Sequence, residues 1–328
     1  MRAARSILWL ALAGYPFFIR AMHSVAGHSD ALAVRTAGFL LLSAACLPAA
    51  MAMLCLHQLP TQNVAQPVRR AVGREAVLGA ISPALFVAID TGLSLAGWLP
   101  LRDGVWWLLL AGVFSLRFVA LREVRIASDV GTHKVHIASA LVLMSFAVAH
   151  VANHAVALWS FAASDAAMKA MRRIYRVRPV EVLLLAAVLT QVATGARLVA
   201  GSRMLQRSTF LRNVQILSGA YLGVFLLDHA GYMVIVERLL RGADPLFSVS
   251  TGDGRFGMMT SANNARLMPF YAVAVAALFV HIAAAGRWLL VPVIGSNGAA
   301  RFGRVTMWLG VILAVAVVLP MMQVHLGR

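Results

Sequence analysis

The chain has 328 residues, of which 61% are hydrophobic and only 12% charged, with a mean hydropathy of +0.80. A soluble domain carries roughly a quarter charged residues, so an ordinary water-soluble fold is excluded. The net charge of +17 does not indicate nucleic acid. Its Lys and Arg sit between apolar runs, where they meet anionic lipid headgroups.

In lipid the backbone satisfies its own hydrogen bonds as helices or as a closed barrel. Barrel strands alternate at period two, and this sequence does not. It runs apolar for roughly 17–25 residues at a time, the length of a spanning helix. The expected fold is all-α and polytopic, with about nine transmembrane helices near 6–21, 33–57, 77–99, 104–121, 133–159, 179–200, 212–238, 267–290 and 303–325.

The first run, Ser6–Ile19, follows Arg2 and Arg5 and is succeeded by Arg20-Ala21-Met22-His23. No small-residue cleavage pattern is present, so it reads as a short span. Cys46 and Cys55 lie in the second run and read as small hydrophobes. Gln58–Arg74, with Pro60, Pro67, Arg69, Arg70 and Arg74, reads as a connection, as does Arg122–Lys134. Met168–Pro179 reads as the most basic loop. Arg241–Arg266, with its glycines, Pro245 and paired Asn, reads as the longest excursion. Within it, Met258-Met259 reads as loop packing rather than copper ligation. The Lys/Arg asymmetry between the two sides is small and is read with the N-terminus inside.

Residues 1–130 form a four-span region with histidines only near span ends. Residues 131–328 carry His150, His154, His229 and His281 within spans. An intramembrane ionisable group is a hypothesis about function. The bland alternative is a helix–helix hydrogen bond worth about 1 kcal/mol. Depth discriminates. His150 lies sixteen residues past Lys134, and His229 seventeen past Arg212, about 24 and 25 Å at 1.5 Å per residue. The fifth and seventh spans run the same way, so both imidazoles reach one depth, as clamping a haem iron requires. His154, one turn beyond His150, is a second candidate for ligand or for a propionate contact, as is Asn153. His281 has Gln191 as its depth partner. It is read either as hydrogen-bonded to Gln191 or a carbonyl, or as lying near a quinone or second haem.

Other residues carry two readings each. Asp228 and Asp90 are intramembrane carboxylates, read as proton carriers or as helix–helix contacts; Asp90 has no visible partner. Arg173 and Arg176, with Tyr175 and Arg178, precede Pro179 and Glu181, an ordinary helix start. Those arginines are headgroup anchors or propionate partners. Thr194-Gly195 and Ser218-Gly219 allow close packing, and Gly219 could leave room for a porphyrin. No P-loop, dinucleotide fingerprint, HExxH or CxxC motif occurs.

The segments HKVHIASALVLMSFAVAHVANHAVALW, RRIYRVRPVEVLLLAAVLTQVATGARL and RNVQILSGAYLGVFLLDHAGYM together resemble the cytochrome b membrane-anchor subunits of succinate dehydrogenase and fumarate reductase in their single-chain, five-helix form. The sharpest element runs from Ser218 to His229, and the resemblance covers roughly residues 131–325. It implies a five-helix haem-binding bundle, with haem b held by His150 and His229 on the first and third helices. Two-haem members use a second pair on helices two and four. His281 matches half of it, and the sixth span has no histidine, so one haem is expected. Electron exchange with quinone or with a soluble redox subunit is implied, in a bacterial inner membrane. The four extra N-terminal spans depart from the family. Two rival readings stay open at this level: a transporter or permease using Asp90, Asp228 and Gln191, and a haem-less membrane scaffold of the same bundle type.

Overall fold

A computed structural model describes residues 2–26, 32–58, 66–116, 130–201, 209–248, 264–324 and 326. Among them every regular element is helical. In order these are α1 (Arg2–Ala26), α2 (Leu32–Ala45), α3 (Leu47–His57), α4 (Gln66–Leu95), a 3-10 turn (Leu99–Leu101) and α5 (Arg102–Ser115). There follow α6 (Val130–Val156), α7 (Phe161–Tyr175), α8 (Arg178–Gly201), α9 (Phe210–Gly231) with a π-helical continuation (Tyr232–Leu240), α10 (Leu267–Leu289) and α11 (Val291–Met321).

Among the described residues seven helices are long and apolar enough to cross a membrane, or eight if the bent pair α2–α3 is one span. The sequence expectation was nine. The pair breaks by 46° at Cys46, just before Pro48, which cannot donate into the preceding turn. The 25-residue α1 is not among the seven. It carries Arg5, which forks onto the two Glu75 oxygens at 2.7 Å through Nε and Nη2, and Arg20, which meets Asp103. Leu8, Leu12, Tyr15, Ile19 and Met22 recur at helical spacing and are buried on one face of it.

Two prolines inside these helices leave carbonyls without their usual donor. Pro16 cannot donate to Leu12 O, and Trp106 Nε1 on α5 supplies that bond at 2.9 Å. Pro83 cannot donate to Gly79 O, and the Ser82 hydroxyl supplies it at 2.9 Å. Proline is tolerated in membrane helices where neighbours satisfy the freed group in this way. Trp106 also packs edge-on to Phe86, which packs edge-on to Tyr15, and all three are fully buried.

Asp90, fully buried near the end of α4, meets Arg102 at 2.8 Å and Arg266 at 2.5 Å. Arg266 is the N-cap residue of α10. This cluster ties the N-terminal helices to the C-terminal ones, and it supplies the partners the sequence did not reveal.

In the C-terminal part α6 packs on α8, α8 on α9, α9 on α10, α10 on α11, and α11 back on α6. Outward side chains such as Leu141, Leu189 and Ile312 are exposed, as lipid-facing residues should be. The α10–α11 contact is tight: a Cβ at Gly310 would stand 2.4 Å from Phe279 Cβ, and one at Gly286 would stand 2.3 Å from Phe302. Gly295, at φ 69°, breaks the start of α11 in a conformation reserved for glycine.

Two loop expectations change. The basic stretch before Pro179 is mostly the helix α7, capped by Ser160, whose side chain accepts from Ala163 N. It buries Ser164, Met168 and Arg172 at four-residue spacing and exposes Lys169 and Arg173. Residues 66–74 belong to α4 rather than to a connection. Pro60, Arg122, Arg125 and Met258-Met259 lie outside the described residues.

Substituting Trp106→Phe should cost about 1–3 kcal/mol by leaving the Leu12 carbonyl buried and unpaired. In a Pro16→Ala background, where residue 16 regains its N–H, that cost should shrink. Thermal denaturation of the four proteins in detergent tests this, and additive losses would disprove the compensation.

Candidate functional site

The centre of the C-terminal helices is hollow. A cavity of about 1210 Å³ runs between α6, α8, α9, α10 and α11 and is covered at one end by α7 and residues 243–247. His150, His154, His229 and His281, all singled out from the sequence, line it. His133 and His136 line it too, and the sequence reading did not weigh them.

At the covered end three imidazoles gather. The His150 and His229 ring centres are 6.2 Å apart. His154 Nε2 lies 3.3 Å from His150 Nε2. Each of the matched histidines is stacked on a phenylalanine one turn earlier in its own helix: Phe146 on His150 at 5.1 Å, and Phe225 on His229 at 5.3 Å. The same F-x-x-x-H pattern thus stands on α6 and on α9, because residues four apart share a helix face. Tyr271 Oη on α10 is 3.4 Å from His229 Nδ1. The Nδ1 atoms of His150 and His154 are buried with no hydrogen-bond partner. A group so placed ordinarily costs about 1–3 kcal/mol.

The rest of α9 leaves space. A Cβ at Gly223, on the cavity wall, would meet nothing within 4 Å. Beyond Gly231 the π-helical turns widen the helix and bring Met233, Val234 and Arg238 to the wall. Such segments are uncommon and occur often at functional sites.

A basic cluster rims the covered end. Arg172 bonds Asp244 Oδ1 at 3.1 Å and the carbonyls of Asp244 and Pro245. Arg176 forks onto both oxygens of Asp244. Arg238 meets Glu181. Arg176, one of two arginines expected here, lines the cavity, while Arg173 is exposed on the outer face of α7 and does not. Arg172, one residue earlier, takes the inward position because it falls on the Ser164–Met168 face. Burial alone would raise the Asp244 carboxyl, but the Arg176 hydrogen bond and the charges of Arg172, Arg176 and Arg238 outweigh it and hold it below the usual carboxylate range. The Asp244 hydrogen bond holds Arg176 more firmly protonated still.

At the other end, His136 Nδ1 is 2.9 Å from Thr194 Oγ1, and its Nε2 is 3.1 Å from Gln191 Nε2. Gln191 was expected opposite His281 and instead meets His136. His281 Nδ1 reaches the Gln215 carbonyl at 3.0 Å and Ser218 Oγ at 3.2 Å. The backbone-carbonyl contact expected of His281 is therefore present.

Asp90 and Asp228 do not line the cavity. Among the described residues no group of three or more His, Cys, Asp or Glu forms a ready-made site for a bare metal ion. Comparison with protein-family models, with curated proteins and with solved structures finds no match to this chain.

Asp244→Asn should lower stability at neutral pH by about 1 kcal/mol or less, since the carboxylate is partly exposed and screened. A depressed carboxyl contributes above its unfolded value, about 3.9, and loses that contribution as pH falls through its folded value. The gap between wild type and D244N should therefore close in acid, below about pH 4. Melting curves across pH would refute the clamp if the gap stayed constant.

Proposed function

We propose that this chain is a membrane b-type cytochrome, in which the C-terminal helices form a five-helix bundle holding haem between His150 and His229. The carrying observation is the His150–His229 pair. Two imidazoles on one metal, each nitrogen about 2 Å from it, hold their ring centres roughly 6 Å apart, and these rings are 6.2 Å apart. The pair stands on α6 and α9 and opens on one cavity.

The residues present fit such a group. The unpartnered Nδ1 atoms of His150 and His154, the open space over Gly223 and the flanking Phe146 and Phe225 suit a flat, apolar prosthetic group. A space of about 1210 Å³ with mainly apolar walls and a few convergent polar groups is built like a cofactor or small-molecule site, so it reads as a binding volume rather than a packing defect. Bound haem supplies reversible one-electron exchange. His150 and His229 hold it, Phe146 and Phe225 shield it from water, and Arg172, Arg176 and Arg238 set positive charge at the covered end. His154 supports the His150 ring. Nine spans in all, α1 and the bent α2–α3 pair included, belong to this reading, as do a bacterial inner membrane and exchange with quinone or a soluble redox subunit.

Of the residues the transport reading relies on, Gln191 lines the cavity, Asp228 does not, and Asp90 is paired with two arginines away from it.

Purified in detergent after haem-replete expression, the protein should show a b-type α-band in its reduced-minus-oxidised spectrum. His150→Ala and His229→Ala should each lose absorbance in that band while staying monodisperse. Full amplitude in both variants would remove the pair as ligands. No band at all would leave the haem-less scaffold and the transporter as the readings to pursue.

A further inference from the structure

The hairpin of α10 and α11 carries an apolar tip that the bundle does not cover. Its two helices lie side by side at Gly286 and Phe302, where a Cβ on the glycine would stand 2.3 Å from the Phe302 ring, and again at Gly310 and Phe279. From Leu267 to Gly286 is nineteen residues, and from Phe302 to Met321 nineteen more, about 28 Å each at 1.5 Å per residue. The hydrocarbon of a bilayer is about 30 Å thick. Helix α10 begins at the covered end, where Tyr271 meets His229. Residues 287–301 therefore project past the hydrocarbon at the end of the cavity away from α7.

A connection that leaves the membrane for water is ordinarily built of polar and turn-forming residues. This one reads RWLLVPVIGSNGAAR. Trp288, Leu289, Val291, Val293 and Ile294 are all exposed, Val293 at 78%. Gly295, at φ 69°, turns the chain after Ile294. The apolar piece from Trp288 to Ile294 is far too short to be a span of its own.

Arg287, Arg301 and Arg304 stand at the base of the tip. All three are exposed, and none has a partner among the described residues. Arg287 and Arg301 each adjoin the Gly286–Phe302 contact, so they sit at one level. Guanidinium groups pair with phosphates through two hydrogen bonds at once, and Trp favours the boundary between membrane and water. Exposed apolar side chains beside arginines are the composition of a segment that lies in that boundary. Anionic headgroups stand at this level in any bilayer that contains them, whereas a protein partner would have to bring carboxylates to the same three places.

We propose that Trp288–Ile294 lies in the headgroup–acyl boundary of the leaflet at this end, fixed there by phosphates of anionic phospholipids on Arg287, Arg301 and Arg304. Trp288 and Leu289 also line the cavity, together with Phe302, and both are more than half exposed. They stand at a mouth of the cavity, and that mouth opens on the bilayer interface rather than on water. Small molecules that enter by it come from the membrane, and are apolar or amphipathic. The inference needs no haem and stands apart from the reading of the histidine pair.

The test is the depth of a nitrobenzoxadiazole label on Val293→Cys, in a Cys46→Ser, Cys55→Ser background, with the whole chain reconstituted in phosphatidylcholine–phosphatidylglycerol vesicles. Size exclusion before reconstitution is the control for folding. The label should emit to the blue of its position in water. It should lose more intensity to lipids brominated near the glycerol than to lipids brominated near the methyl ends or to aqueous iodide. The same label on Ile312→Cys, exposed midway along the spanning part of α11, should rank the two lipids the other way and so calibrates depth. Adding Arg287→Gln, Arg301→Gln and Arg304→Gln, or leaving out the phosphatidylglycerol, should shift the V293C label to the red and raise its quenching by iodide. Quenching by iodide alone in the chain with its arginines would put the tip in water and overturn the proposal. Protection from all three quenchers, with a disulfide forming between two copies of unlabelled V293C, would show the tip covered by a second copy and overturn it as well. A shallow label that neither loss of charge moves would overturn the headgroup contacts.

Discussion

A hydrocarbon surround offers a polar group no partner, so a polar group in these helices is costly unless another part of the same chain meets it. That constraint explains the placement of the polar residues here. Pro16 and Pro83 each free a carbonyl, and Trp106 and Ser82 stand where they can cap them. Asp90 is paired twice, by Arg102 and Arg266. A lone buried carboxylate would cost several kcal/mol, so the two arginines and the carboxylate must come together whenever the N-terminal and C-terminal helices do.

The same constraint makes the C-terminal cavity informative. The N-terminal helices are filled with interlocking aromatics, Tyr15, Phe86 and Trp106. The C-terminal helices surround a space into which six histidines project. Imidazoles on the wall of a large apolar hollow are a poor way to hold helices together, since each such hydrogen bond is worth only about 1 kcal/mol. They are a good way to hold a large flat group at fixed depths. Glycines rather than leucines on the facing stretch of α9 fit that use: Gly219 lets the His281 ring come close, and a Cβ at Gly223 would meet nothing within 4 Å.

The helical class and most span positions were legible because apolar run length maps directly onto membrane thickness. That His150 and His229 line one cavity agrees with the residue counting, since a straight helix converts residue number into distance along its axis. Three things were not. The span rule looks for mid-run polar residues, so His136, close to the start of α6, was passed over; its fourteen-residue spacing from His150 was the signal that would have found it. Helix α7 was hidden because a short amphipathic helix is too polar to read as a span, although Ser160 and the Ser164–Met168–Arg172 spacing mark it, and Arg172 rather than Arg173 faces inward for that reason. The partners of Asp90 were hidden because Arg266 is distant in sequence and only the folded chain brings it close.

Arg266 has a second consequence, which joins the ion cluster to the cavity. It is the N-cap of α10, so its bond to Asp90 fixes where that helix begins relative to α4. Tyr221 on α9 then donates to the Phe270 carbonyl at 2.6 Å, which fixes the same end against α9. A helix is stiff along its axis, with about 1.5 Å per residue, so everything further along α10 inherits that setting. Tyr271 falls beside His229 at the covered end, and His281 falls beside Gln215 and Ser218 at the other. A slip of one turn, about 5.4 Å, would take both from their partners together. The buried charges are therefore not an isolated polar patch. They set the register of the helix that contributes a residue to each end of the cavity, and they do so from outside it, where nothing bound within would compete for them.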